Sequence, residues 1–120
     1  MNIHGDELRM YIIVNTDAKM GKGKACAQVS HAVMLITEFL LTNNPTLFNN
    51  YKNGGMPKLV LKSNHETLLS LESKYPNSFP IRDFGRTQVK PNTFTVLGFL
   101  PMTDSEKHNS YPELESLKLL

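Results

Sequence analysis

Three lysines and two glycines stand together at Lys19-Met-Gly-Lys-Gly-Lys24, directly ahead of a segment with helical periodicity. Free N–H groups and the helix dipole already favour an anion at a helix amino terminus, and glycines let the backbone come close to it. The segment therefore reads as a generic anion cradle, beside the plainer alternative of a solvated basic turn. It is not a nucleotide P-loop, because Gly-x-x-x-x-Gly-Lys-Ser/Thr does not occur. The dinucleotide fingerprint fails too, since Cys26 stands where its third glycine belongs.

A second concentration lies at Asp83-Phe-Gly-Arg-Thr-Gln88, which packs an acid, a flexible glycine, a cation, a hydroxyl and an amide into six residues. The alternative is a polar turn in which Asp83 caps backbone donors. Thr93 and Thr95 fall on one face of a strand by alternation, so Thr95 can look into the same cleft or simply be a good strand former. His4, His31, His65 and His108 show no metal-ligand spacing, and no metal or cofactor is expected. His31 and Ser30 are neighbours on a helix and point about 100° apart, so they make no dyad. Cys26 is either an activated nucleophile near a helix start or a buried structural thiol, and the second is expected.

The elements that must hold these groups follow from apolar spacing. Tyr11-Ile-Ile-Val14 is a short β-branched run of the kind buried on both faces of a sheet. Ala25, Val29, Ala32, Val33, Ile36, Phe39 and Leu40 recur at threes and fours, one apolar face of a helix ending near Leu41. Lys24, Gln28, His31 and Glu38 make a polar stripe on that helix, so Lys24 and Gln28 should point the same way. Asn43-Asn-Pro45 ends the helix, and a short second one is expected from Pro45 to Tyr51 before the turn at Asn53-Gly-Gly55. Leu59 to Lys62 reads as a strand. Ser63-x-x-Glu66 has the spacing of a capping box for a helix from Asn64 to Tyr75.

Phe79 to Arg82 reads as a third strand, which Pro80 pushes to a sheet edge because it has no ladder donor. Thr93 to Leu100 has the strongest β composition in the chain. Residues 103–112 look like a mobile connection before a final element from Pro112 to Leu120, helical at first. Two strand–helix–strand units imply right-handed crossovers, with ligands gathering beyond the carboxyl ends of strands.

Length and charge bound the rest. A chain of 120 residues buries roughly two thirds of its unfolded surface, enough for one core, so a single domain over 1–120 is expected, with 1–8 as a flexible tail. No run approaches the ~20 consecutive apolar residues of a membrane span, so no membrane partner is expected. One cysteine suits a reducing compartment, and a cytoplasmic location follows as an expectation. Residues 1–103 hold 11 Lys and Arg against 7 Asp and Glu, while 104–120 hold 2 against 4. The basic body favours polyanionic partners, although so small an excess decides nothing alone.

Taken together, Thr16-Asp-x-Lys-Met-Gly-Lys-Gly-Lys24, Ala27-Gln-x-Ser-His-Ala32, Pro57-Lys-x-Val60, Asp83-x-Gly-Arg-Thr-Gln88 and Thr95-Val-Leu-Gly98 resemble the archaeal and eukaryotic type of peptidyl-tRNA hydrolase, often called type 2. The resemblance covers about Arg9 to Leu120. It implies an α/β fold of three layers, a four-stranded mixed β-sheet with helices on both faces, commonly as a homodimer. It also implies cleavage of the ester between a peptide and the terminal ribose of tRNA, which recycles stalled tRNA. The family's catalytic positions fall on Lys24, Asp83, Thr87 and Thr95, with Gln28 as a neighbour. Its tRNA-facing surface falls on Lys19, Lys22, Arg86 and Lys90, directed at the acceptor end. Phe84 stands where the family usually has a small residue. A competing expectation is a non-catalytic RNA-binding or protein-interaction module on the same fold; the intact Lys24, Asp83, Thr87 and Thr95 set favours the enzyme.

Overall fold

The computed structural model describes residues 7–83 and 92–120. Its centre is β1 (Met10–Asn15), a strand buried at every position, as its unbroken apolar run requires. A short 3-10 turn, Thr16–Ala18, leads into α1 (Lys22–Asn43) and then α2 (Pro45–Asn53). β2 (Lys58–Ser63) pairs parallel to β1, which makes the intervening helices a crossover. After α3 (His65–Lys74) come β3 (Phe79–Arg82) and β4 (Phe94–Gly98), both antiparallel to their neighbours. α4 (Asp104–Ser110), a 3-10 turn (Pro112–Ser116) and β5 (Lys118–Leu119) close the chain. The strand order is β3-β4-β1-β2-β5.

The mixed α/β class expected from sequence is present, but the sheet has five strands rather than four. The fifth, β5, pairs Leu119 with Leu61 and Lys118 with Lys62. Two residues are too few to announce themselves by alternation. Pro80 sits on edge strand β3, where a missing donor does least harm.

Each face of the sheet carries its own core. Met10, Ile12, Val14, Ile81 and Val96 pack against Ala32, Ile36 and Leu40 of α1 and Tyr51 of α2. Tyr11, Ile13, Phe94, Leu97 and Phe99 pack against Leu68 and Leu71 of α3 and Leu114. α1 comes close because Gly98 presents no side chain: a Cβ there would lie 2.9 Å from Ile36 Cδ1.

α1 is long and apolar enough to cross a membrane by length and composition alone. Here its row Gln28, Ala32, Ile36, Leu40 is buried on the sheet. Gln28 thus belongs to the inward row, while His31 and Glu38 of the expected polar stripe are exposed. Met34, Leu35, Phe39 and Leu41 face outward.

Two other expectations change. Ser63 remains in β2, and it is Asn64 that caps α3, its Oδ1 accepting from Thr67 N at 2.9 Å. Residues 104–110 form a helix instead of a loop, started by a reciprocal capping box between Thr103 and Glu106. Polar composition hid that helix, although its Thr-x-x-Glu signal was present. Of the expected tail, residues 1–6 lie outside the described residues; Leu8 packs at the edge of the α1-side core.

Candidate active site

The site is assembled where the start of α1 meets the ends of β3 and β4. α1 begins at Lys22, so Lys24 is the third residue of the helix and not the last of a loop. Its ammonium lies 2.6 Å from Asp83 Oδ1, and the two side chains are only 10% and 7% exposed. Asp83 is the residue after β3. Its backbone is held from both sides: its N–H donates to Thr93 O at 2.9 Å, and its carbonyl accepts from Asn92 N at 2.5 Å. The carboxylate is therefore delivered by a backbone clasp between β3 and β4.

One turn along α1 from Lys24, Gln28 places its Oε1 2.6 Å from the Thr95 hydroxyl, which also lies 3.1 Å from Ile81 O. Both side chains are buried, and Thr95 is completely so. A single hydroxyl hydrogen faces two acceptors, which ties α1, β3 and β4 together at one point.

The reason Thr95 reaches α1 is a register shift. Ile81 pairs with Val96 and Arg82 with Phe94, leaving Thr95 as an extra residue on β4. Such a bulge breaks the alternation of side chains. Val96 belongs to the α1-side core and Phe94 to the opposite one, so Thr95 and Val96 both turn toward α1. Simple alternation counted back from Val96 would send Thr95 to the far face.

Lys24, Gln28, Asp83 and Thr95 are thus brought together. Lys19 and Lys22 are exposed and line a different concavity with Asn15, Thr16 and Met20. Lys19 adopts a left-handed backbone at φ 52°, closing the 3-10 turn. That turn is fixed by Asn15, which is buried, donates to Phe94 O at 2.7 Å and accepts from Asp17 N. Gly23 has nothing within 4 Å of where a Cβ would be, so the first turn of α1 is open to an approaching ligand. Thr87, Arg86, Lys90 and Phe84 lie outside the described residues. Cys26 is exposed, contrary to the buried thiol expected.

A cavity of about 350 Å³ adjoins the pair, reaching from Gln28 and Asp83 past His31 to Leu35, Pro80 and Ile81. Sequence reasoning did not assign His31, Leu35, Pro80 or Ile81 to the site. The available signal was the spacing 24, 28, 31, 35, which is one line along a helix. No group of three or more His, Cys, Asp or Glu that could hold a metal occurs among the described residues.

What this arrangement can do is hold a carboxylate and an ammonium nearly dry at the mouth of a cleft, with a fixed hydroxyl one turn away. That is the equipment for orienting water and stabilising an oxyanion. Residues 8–120 match the family described as Peptidyl-tRNA hydrolase PTH2. The chain is 38% identical over 107 residues to Peptidyl-tRNA hydrolase 2, mitochondrial, of Homo sapiens, covering 83% of this chain and 60% of that protein. It is 35% identical over 107 residues to Peptidyl-tRNA hydrolase of Saccharolobus islandicus (strain L.S.2.15 / Lassen #1), covering 82% and 89%. A third relative, Peptidyl-tRNA hydrolase 2, mitochondrial, of Bos taurus, is 39% identical over 100 residues, covering 79% and 56%. The chain therefore spans somewhat over half the length of the two mammalian relatives and most of the archaeal one. It belongs to the PTH2 family of peptidyl-tRNA hydrolases.

Proposed function

We propose that this protein hydrolyses the ester bond of peptidyl-tRNA and releases free tRNA for reuse. The observation that carries the reading is the sequestered Lys24–Asp83 pair, set beside Gln28 and Thr95 at the cleft. The ionised Asp83 carboxylate accepts hydrogen bonds only, so it orients a water and takes up its proton as the oxygen attacks the ester carbonyl carbon. Lys24 offsets the negative charge that develops on the carbonyl oxygen and then on the departing ribose oxygen. The C–O ester bond breaks, the ribose oxygen collects that proton from Asp83, and the peptide leaves as its acid, which gives up its remaining proton to solvent and becomes a carboxylate. Thr95, held by Gln28, and Thr87 keep water and substrate in line. Lys19, Lys22, Arg86 and Lys90 attract the phosphates of the acceptor end.

The test is release of free tRNA from peptidyl-tRNA compared with aminoacyl-tRNA by the purified protein. Release from the first alone is expected. Binding without release would favour the non-catalytic module instead. Lys22→Ala should weaken tRNA binding and flatten its dependence on salt; an unchanged slope removes that lysine from the RNA footprint.

A homodimer in the cytoplasm completes the proposal. The outward Met34, Phe39 and Leu41 of α1 support self-association, because exposed apolar side chains on one helix gain by being covered. Light scattering on the intact chain and on Met34→Asp checks it. The lone Cys26 suits a reducing compartment, and fractionation of the source cells checks that.

A further inference from the structure

The two flanks of α1 differ in a way that gives the substrate a direction. On one flank Lys22 and Lys58, with Lys19 beyond the helix start, rim a cavity of about 730 Å³ whose walls, Val29, Val33, Val60, Leu119 and Leu120 among them, are apolar; what sets this side apart is its lysines. On the other, toward edge strand β3, lies the cavity of about 350 Å³ that opens from Asp83 and Gln28. No lysine among the described residues lines that cavity. Arg82 stands at its border, but its guanidinium is turned to the opposite face of the sheet, over the Phe94 ring, with both terminal nitrogens on Glu72. Beyond Asp83 the walls become apolar: Leu35, Pro80 and Ile81, with His31 at the side.

We infer that this cavity is the acyl subsite: it receives the side chain of the amino acid esterified to the ribose, selects for uncharged apolar side chains, and is read chiefly by Leu35. The inference rests on the proposed hydrolysis. The ester must lie at Lys24 and Asp83 with its two halves running apart. The nucleotide half carries phosphates and belongs on the lysine flank; among the described residues, the cations nearest the cavity past Asp83 are already paired, Lys24 with Asp83 and Arg82 with Glu72. The acyl half is then directed into the cavity, whose volume lies toward the lower end of the ~300–1,000 Å³ range of small-ligand pockets. Leu35 is 44% exposed, so it can be changed without opening the core.

The experiment uses the intact chain and one tRNA body charged in turn with N-acetyl-leucine, N-acetyl-phenylalanine and N-acetyl-aspartate. The wild type should favour the apolar esters over the aspartyl ester by about tenfold or more in kcat/KM, the scale of a hydrophobic-pocket discrimination. Leu35→Arg should collapse or invert that ratio while uncharged tRNA competes as before. Met34→Asp, on the same helix but outside the cavity, should leave the ratio unchanged. A ratio near one in the wild type, or a Leu35→Arg variant that slows all esters equally and weakens uncharged tRNA, overturns the inference and gives the cavity to the nucleotide. A second arm needs no turnover: amide-linked N-acetyl-leucyl and N-acetyl-aspartyl adenosine are titrated into isotope-labelled protein. Side-chain-dependent shifts at Leu35 and Ile81 support the subsite even if no ester is cleaved, in which case the hydrolase reading alone fails. Such shifts at Lys19 and Lys22 instead overturn the subsite.

Discussion

Two lysine–carboxylate pairs lie on opposite faces of the sheet, and little beyond their charges is alike. Lys24 and Asp83 are nearly buried, bridge elements far apart in sequence and sit at the mouth of a cleft. Lys74 and Glu113 are far more exposed, at 57% and 35%, and there the ammonium and then the Tyr75 hydroxyl, 2.5 Å away, hold the Glu113 carboxyl down to about 2. Neither end of the outer pair lines the cavities described above, and what it does is fasten the segment after α4 to the end of α3. A buried pair gives up two hydration shells and is a poor way to stabilise a fold, whereas an exposed pair gives up little and gains little. The difference accords with the proposed function, in which the inner pair serves chemistry and the outer one is a latch.

The comparison is tested most severely by Asp83→Asn, which keeps the shape but lowers basicity. Single-turnover cleavage of peptidyl-tRNA should fall by about 100-fold or more, the usual share of a general base, with tRNA affinity retained. Replacing the pair together, Lys24→Met with Asp83→Leu, should abolish turnover yet melt at or above the wild-type temperature; Lys24→Met alone should melt lower, because Asp83 is then left charged in a dry place. A double variant less stable than either single one would show that the inner pair is structural after all. Thr95→Val is isosteric and removes only the hydroxyl shared between Gln28 and Ile81. It should slow turnover by about tenfold and cost roughly 1–3 kcal/mol in denaturant titration through the acceptors left unpaired.

Glu113→Gln should leave turnover untouched and change stability least. Because the folded carboxyl titrates below its ordinary value of 4.5, its contribution is fully present above that pH and is lost as pH falls toward about 2. The variant's acid unfolding curve should therefore lie below the wild type's near neutrality and merge with it near pH 2; parallel curves across that window would remove the latch.

Much of this site could be read from residue types, and the parts that could not have identifiable causes. Lys24 and Gln28 were aligned by helix periodicity, and Pro80 placed β3 at the edge through its missing N–H. What periodicity could not say was which way Gln28 faces, because a polar residue on an apolar row is decided by a partner, here Thr95, on a strand 67 residues away. α4 was hidden by Ser, Asn and His, and β5 by its two-residue length. The bulge was hidden because an extra residue leaves no mark in composition; it exists only in the pairing of two strands.

That bulge bears on how the fold and its chemistry came to coexist. If Thr95 were deleted, Phe94 and Val96 would stand next to each other, one for each core, and β4 would become an uninterrupted ladder against β3. The sheet is complete without this residue. In the pairing Thr95 is a surplus residue: taking it out would leave both cores aligned and remove only the hydroxyl shared between Gln28 and Ile81.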